Sequence, residues 1–135
     1  MRIPLIIANP RLFPQGEKIE RIARQIDIAP TLLEMLGFDP PADWQGQDLF
    51  AGGPERRAYL FADYHFGVVE GNYKYIYDVN SAYSEIYDLS RDPFELNNLN
   101  GDPAVSEQAK KAYMRMAAWS AFQNKYLDKL DLHHH

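Results

Sequence analysis

Apolar residues recur every four positions in one stretch near the start of the chain. Ile28, Leu32 and Leu36 share one face of a helix, because an α-helix turns once in about 3.6 residues. Asp27 is a residue type that caps helix N-termini, and Gly37 is the type that ends helices in the left-handed conformation. The pattern predicts a short helix that begins at Asp27 and ends before Gly37. We expect the Asp27 carboxylate to accept hydrogen bonds from the first-turn amides.

An unbroken apolar run precedes this helix at residues 3–8 and ends at Asn9 and Pro10. Continuous rather than alternating apolar residues are typical of a strand that is covered on both faces, as in a parallel sheet. The run therefore predicts a buried strand. Residues 38–56 are rich in Pro and Gly and predict a long irregular connection.

Short runs rich in Tyr, Val, Ile and Phe dominate the middle of the chain. Turn residues separate them, at Gly71-Asn72 and at Asn80-Ser81. The alternation predicts an antiparallel meander of about four strands. The predicted strands are residues 57–64, 66–70, 73–79 and 84–89.

One long helix closes the chain. Asp102 and Pro103 suit its N-cap and first turn, and an apolar stripe continues to about residue 130. The stripe consists of Val105, Ala109, Ala112, Met116, Trp119, Tyr126 and Leu130. We expect it to pack on the sheet, with the sheet's Tyr and Phe residues as partners of Trp119. The predicted fold is α+β: a small antiparallel sheet carrying this helix, preceded by the strand and the short helix.

Composition narrows the class of protein. The 135 residues suit one domain, and a net charge of −5 gives no electrostatic footprint for nucleic acid. The absence of cysteine excludes disulfides and thiolate chemistry in this chain. No apolar run reaches the roughly 20 residues that a membrane-spanning helix needs.

Five segments, in this order, resemble the C-terminal part of sulfatases and their relatives in the alkaline phosphatase superfamily. The segments are residues 3–7 (IPLII), 26–37 (IDIAPTLLEMLG), 45–49 (QGQDL), 73–77 (YKYIY) and 85–99 (EIYDLSRDPFELNNL). Asp48 stands where the family usually has Ser. The resemblance implies that residues 1–56 are the end of a large α/β domain plus a linker, and that 57–132 are a sheet-and-helix subdomain. Residues 133–135, all His, then resemble a purification tag.

The resemblance also implies that the core chemistry lies elsewhere. The family's nucleophile is a Cys or Ser in Cys/Ser-x-Pro-x-Arg, or a Thr in the phosphoglycerol transferase and lipoteichoic acid synthase branch. This chain has no Cys, no Ser in that context, and a single Thr, Thr31, inside the predicted helix. We therefore expect a C-terminal fragment with no catalytic residue and no metal ligand of its own. A divalent cation (calcium, magnesium or manganese) is expected in the longer protein.

His65 is the candidate substrate-binding residue. It lies in Asp63-Tyr64-His65-Phe66-Gly67, between two predicted strands. An imidazole beside a carboxylate at a strand end can donate to a sulfate or phosphate oxygen. In sulfatase-like enzymes this region approaches the rim of the active-site cleft, so the resemblance implies a substrate contact there. The alternative is an ordinary hydrogen-bonded loop histidine.

Other polar residues favour structural roles. Asp88, Asp92 and Glu95 lack the spacing and the central Gly of a calcium loop, and a turn with Asp88 and Asn97 on local backbone explains them. Lys74 alternates with Tyr residues and suits a solvent-facing position or an anion contact equally well.

Three functions remain open from the sequence. The first is the C-terminal part of a sulfatase acting on sulfate esters, and the second is the same part of a membrane-anchored phosphoglycerol transferase or phosphate-ester enzyme. The third is a free-standing, non-catalytic binding module. Under the first two, we expect the partners to be the N-terminal catalytic domain and a small-molecule or glycan ester, in an extracytoplasmic protein. An exposed strand at residues 3–7 would also favour self-association.

Overall fold

The computed structural model describes residues 4–52 and 56–131, and the side chains of the second stretch as far as residue 125. Its regular elements are a 3-10 turn at Gln25–Asp27, α1 at Ile28–Met35, β1 at Arg57–Ala62, β2 at His65–Glu70, β3 at Tyr73–Asp78, β4 at Tyr83–Asp88, a 3-10 turn at Pro103–Val105 and α2 at Ser106–Asp131. The predicted strands and the long helix are confirmed, with bounds that differ by one or two residues.

The sheet is a four-stranded antiparallel meander in the order β1-β2-β3-β4. Its register places Tyr59 opposite Val68, Val68 opposite Tyr75, and Tyr75 opposite Ile86. Since side chains alternate between the two faces of a strand, these four residues lie in one row on one face. That row is the centre of the core.

α2 covers this face of the sheet. Its buried residues Ala112 and Met116, together with Val105 of the 3-10 turn before it, pack on the row that contains Val68, Tyr75 and Ile86. These six side chains form the apolar core, which fixes the helix on the sheet.

Two aromatic pairs extend the contact between sheet and helix. Tyr59 stacks on Trp119 with ring centroids 4.8 Å apart, and Tyr77 meets Tyr113 edge-on at 5.3 Å. The expectation that Trp119 packs against the sheet's aromatic residues is confirmed. Its ring is half-buried rather than fully buried.

The start of α2 is capped as predicted. The Asp102 carboxylate accepts a hydrogen bond from the Ala104 N–H at 2.8 Å, and Pro103 opens the first turn. Upstream of it, the Asn98 side chain accepts from Ile86 N–H and the Leu99 N–H donates to Ile86 C=O. The segment before the helix therefore covers the outer edge of β4.

The strand expected at residues 3–8 is absent from the described part of that run. Residues 4–9 are irregular, and Leu5 and Ile6 are 46% and 85% exposed. A strand needs a neighbour to pair with, and the four described strands pair among themselves. Ile3 lies outside the described residues.

The short helix forms as predicted at its C-terminal end. Gly37 adopts a positive φ of 81°, and the Phe38 N–H returns to the Leu33 carbonyl at 2.9 Å. Its predicted apolar face is only partly covered by the described residues, because Ile28 is half-buried while Leu32 and Leu36 are exposed. The tag-like residues 133–135 lie outside the described residues, as do the side chains of Tyr126 and Leu130.

Candidate functional site

His65 is the first residue of β2 and is exposed at one end of the sheet. The turn before it places Asp63 at a positive φ of 52°, and the Tyr64 carbonyl accepts from the Val79 N–H at 3.0 Å. This bond joins the β1–β2 turn to the β3–β4 turn. It therefore holds the two turns beside each other at the end of the sheet where His65 lies.

A shallow groove of about 300 Å³ begins at His65 and crosses the sheet face opposite to α2. Its lining consists of Leu60, Phe61, Ala62, His65, Phe66, Gly67, Lys74 and Ile76. Gly67 leaves the notch in its floor, where a Cβ would lie 3.1 Å from the Tyr75 carbonyl oxygen. The groove is apolar along its floor and carries an imidazole and an ammonium group in its walls.

One of the two polar side chains that line the groove, Lys74, already has a partner. Lys74 Nζ forms a 2.5 Å ion pair with Glu95 Oε2. The solvent-facing alternative is therefore wrong, and the anion that Lys74 contacts is a carboxylate of this chain. Burial, and then the hydrogen bond to Glu85, raises the pKa of Tyr87 to about 12. Of the groove's polar side chains, the exposed imidazole of His65 is the one positioned to meet a ligand.

Asp78 lies across from His65 in the register of β2 and β3. The pKa of its carboxyl is held below its usual value, first by the Ser81 hydroxyl, then by the Asn80 N–H, and last by the charge of His65. The Asp78 carboxylate therefore stays ionised beside His65. A histidine N–H at the mouth of an apolar groove can donate a hydrogen bond to an anionic substituent of a small ring.

A second cluster, around Asp27, is one that sequence reasoning misread. Asp27 is fully buried, and its side chain makes no N-terminal cap of α1. Its Oδ1 accepts from Arg24 Nη2 at 2.8 Å and from the Gln47 N–H at 2.9 Å. Its Oδ2 accepts from the Arg24 N–H at 2.9 Å and from Arg56 Nη1 at 3.4 Å. The predicted cap is wrong because two arginines and a distant turn compete for the same oxygens.

Burial alone would raise the pKa of the Asp27 carboxyl, but the hydrogen bonds from the Arg24 side chain and from the Gln47 and Arg24 N–H groups outweigh it. The pKa of Asp27 is therefore held below its ordinary value. Arg24 and Arg56 were not singled out from the sequence. Their positions, three residues before Asp27 and next to the first strand, were the available signal.

The acidic cluster after β4 is a turn, as predicted. Asp88 Oδ1 accepts from the Ser90 N–H at 3.0 Å, and Asp92 Oδ2 accepts from the Asn97 N–H at 2.8 Å. The amide side chain that bonds local backbone is Asn98, not Asn97. In residues 4–52 and 56–131, no group of three or more His, Asp or Glu side chains could hold a metal ion. The same stretches contain no helix long and apolar enough to span a bilayer.

Comparison with solved structures supports the fold. The structure of BT4656 in complex with its substrate D-glucosamine-2-N,6-O-disulfate superposes with a TM-score of 0.55 at 24% identity. A candidate sulfatase from Bacteroides thetaiotaomicron VPI-5482 gives a TM-score of 0.51, also at 24% identity. Each match covers 76% of this chain and 24% of the other chain. The chain therefore spans about a quarter of the length of these structural relatives.

Comparison with sequences gives the family. A curated relative, the N-acetylglucosamine-6-O-sulfatase of Bacteroides thetaiotaomicron, is 40% identical over 48 residues, which are 36% of this chain and 9% of that enzyme. The family model described as N-sulphoglucosamine sulphohydrolase, C-terminal, matches residues 1–121. This match covers most of the chain, which therefore belongs to the N-sulphoglucosamine sulphohydrolase C-terminal family of sulfatases.

Proposed function

We propose that this chain is the C-terminal part of a sulfatase that hydrolyses a sulfate ester on an amino sugar. The observation that carries the proposal is the family match over residues 1–121, joined to relatives of which the chain spans a quarter. Two relatives supply the substrate class: one is an N-acetylglucosamine-6-O-sulfatase, and another is in complex with its substrate D-glucosamine-2-N,6-O-disulfate. In such an enzyme this chain would contribute structural support and the rim of the active-site cleft.

The nucleophile of such an enzyme would come from the rest of the longer protein. Thr31, the single Thr, is fully buried, donates to the Asp27 carbonyl at 2.6 Å and accepts from the Leu49 N–H at 2.9 Å. A hydroxyl that is closed off from solvent and engaged on both sides has no access to a substrate. The side chain serves the fold, which supports an inactive isolated chain.

The divalent cation expected of the longer protein would likewise be held upstream. The carboxylates of this chain that cluster are engaged with arginines, lysine or backbone N–H groups, as in the Asp27 and Asp92 sites. We derive no step of the reaction through a cation bound to these residues.

His65 is proposed to contact the substrate at the cleft rim. An imidazole N–H beside the groove can donate to a sulfate oxygen or a sugar hydroxyl, and the apolar floor suits the face of a ring. His65 would hold the substrate and take no part in bond cleavage.

The uncovered face of α1 is proposed to pack on the upstream catalytic domain. Leu36 is 70% exposed and Phe38, just beyond the helix, is 62% exposed. Large neighbouring apolar side chains in water mark an interaction surface. A parent of this class would act on its sugar ester outside the cytoplasm.

The test is a His65→Ala variant of the longer protein, assayed for sulfate release from 6-O-sulfated glucosamine. Loss of one hydrogen bond to a charged group should raise KM by about tenfold, with metal content unchanged. Met114→Ala, an exposed substitution on α2, is the matched control and should leave KM unchanged. Unaltered kinetics in His65→Ala would remove His65 from the substrate site.

A further inference from the structure

The buried cluster around Asp27 joins three parts of the chain that are distant in sequence. Its carboxylate binds Arg24 beside it, the Gln47 N–H of the 45–49 turn, and Arg56, the residue that precedes β1. Arg24 also donates to the Gln45 carbonyl at 3.1 Å, and Arg56 donates to the Asp48 carbonyl. Oδ1 of the carboxylate thus accepts from Arg24 and Gln47, and Oδ2 accepts from Arg24 and Arg56.

The 45–49 turn fits this cluster because of one glycine. A Cβ at Gly46 would lie 1.9 Å from the Ile26 carbonyl oxygen, so a side chain there would push the turn away from the helix. With glycine, the turn comes close enough for the Gln47 N–H to reach Asp27 and the Leu49 N–H to reach Thr31. The close approach is what closes the cluster.

The cluster lies where the chain passes from the N-terminal segments into the sheet. Arg56 is 9% exposed at the side chain, and β1 begins at the next residue. β1 runs roughly 17 Å from Arg57 to Ala62, at about 3.3 Å per residue, and ends at the turn that precedes His65. A small change in the angle between β1 and the Asp27 cluster therefore moves His65 by several ångströms.

A second link lies on the other side of the same turn. The amides of Gln45 and Gln123 exchange hydrogen bonds, the shorter of them 2.7 Å from Gln123 Nε2 to Gln45 Oε1. This pair ties α2 to the turn that Asp27 holds. It is neutral and half-exposed, so the buried, charged Asp27 cluster is the stronger constraint.

We propose that Asp27 is a positioning residue, which through Arg56 and the Gln47 N–H sets the direction in which the sheet and His65 leave the N-terminal segments. The proposal rests on the proposed function in one respect, that His65 faces the substrate. The arrangement of the Asp27 cluster and β1 can be measured whether or not the protein has any activity.

The test measures that direction in this chain, which has no cysteine and so accepts two specific spin labels. Labels go on Glu34→Cys in α1 and Asn80→Cys at the β3–β4 turn, both of them exposed positions. Double electron–electron resonance on the otherwise unchanged chain should give one narrow distance. Asp27→Asn should broaden or shift that distance by several ångströms while the circular dichroism of the Tyr59–Trp119 stack stays unchanged.

The matched control is Glu95→Gln. It removes the same kind of charge from a partly buried ion pair, that of Lys74, inside the sheet-and-helix part. The control should keep the narrow distance. If Asp27→Asn fails to fold, Arg56→Gln answers the same question from the other partner.

An unchanged narrow distance in the folded Asp27→Asn variant, or in Arg56→Gln, would overturn the proposal. In the longer protein, Asp27→Asn should raise KM for the sulfated sugar more than it lowers kcat. A longer protein with no sulfatase activity would count against the proposed function. The positioning role of Asp27 is tested separately, by the distance measurement alone.

Discussion

At the scale of single residues, the chain buries two polar side chains where residues 26–37 meet the 45–49 turn. Thr31 and Asp27 are the buried polar residues of the described chain, and both bind the 45–49 turn. Because the two side chains are buried, each lost hydrogen bond is costly: the group left without its partner cannot form a replacement bond with water. The two motifs are therefore one structural unit.

Replacing Asp27 by Asn should lower the free energy of unfolding by about 3 kcal/mol. The change leaves Arg24 and Arg56 without their anion and points an amide N–H₂ at groups that are themselves donors. Chemical denaturation of the two proteins measures the difference. A loss below about 0.5 kcal/mol would show that the cluster is solvated in solution.

The same residue predicts a pH dependence. The pKa of Asp27 is lower in the folded protein than its ordinary 3.8, so the unfolded state binds more protons in acid. The stabilisation by Asp27 is thus complete at about pH 6 and is lost as the pH falls through 3.8 and below. The thermal midpoint should fall more steeply with acid in the unchanged chain than in Asp27→Asn, and parallel curves would contradict this assignment.

At the scale of elements, the docking of α2 on the sheet is the main source of the core. Trp119 anchors it on one side by stacking on Tyr59, and Met116 anchors it in the centre, 4% exposed. Both belong to the stripe read from the sequence.

Replacing Trp119 by Ala should destabilise the chain by about 2 kcal/mol, less than for a fully buried ring because this one is half-exposed. Met114→Ala, on the exposed side of the same helix, should change stability by less than about 0.5 kcal/mol. Thermal unfolding followed by near-ultraviolet circular dichroism measures both. Equal effects of the two variants would mean that α2 is not docked through Trp119.

The elements also show what a sequence can and cannot predict. Strand alternation, the Asp102 cap and the Gly37 stop are local signals, and each predicted its element. The Asp27 cluster depends on Gln47 and Arg56, which lie 20 and 29 residues away along the chain, and no local pattern gives that geometry. The strand predicted at residues 3–8 needed a neighbouring strand that residues 4–52 and 56–131 do not offer.

At the scale of the whole molecule, the chain is a folded sheet-and-helix unit joined to an N-terminal part with a large apolar surface. Ile6, Leu36 and Phe38 are between 62% and 85% exposed. We expect this surface to meet the upstream domain in the longer protein and to meet another copy when the chain is alone.

The isolated chain should therefore self-associate through its N-terminal part, including residues 3–7. Light scattering should show a rise in mean mass with concentration that Leu5→Lys reduces. Met114→Lys, an equal change on exposed α2, should leave the association intact. A monomer at high concentration would show that the N-terminal part is covered by the chain itself.

The most direct test of the account compares sulfate release by two proteins, the longer protein that contains this chain and the chain alone. The substrate is 6-O-sulfated glucosamine, with calcium, magnesium or manganese supplied in turn. The account predicts sulfate release by the longer protein and none by the chain with any of the three cations. Turnover by the purified chain that follows it through a sizing column, or a longer protein that cleaves phosphate esters and no sulfate ester, would contradict it.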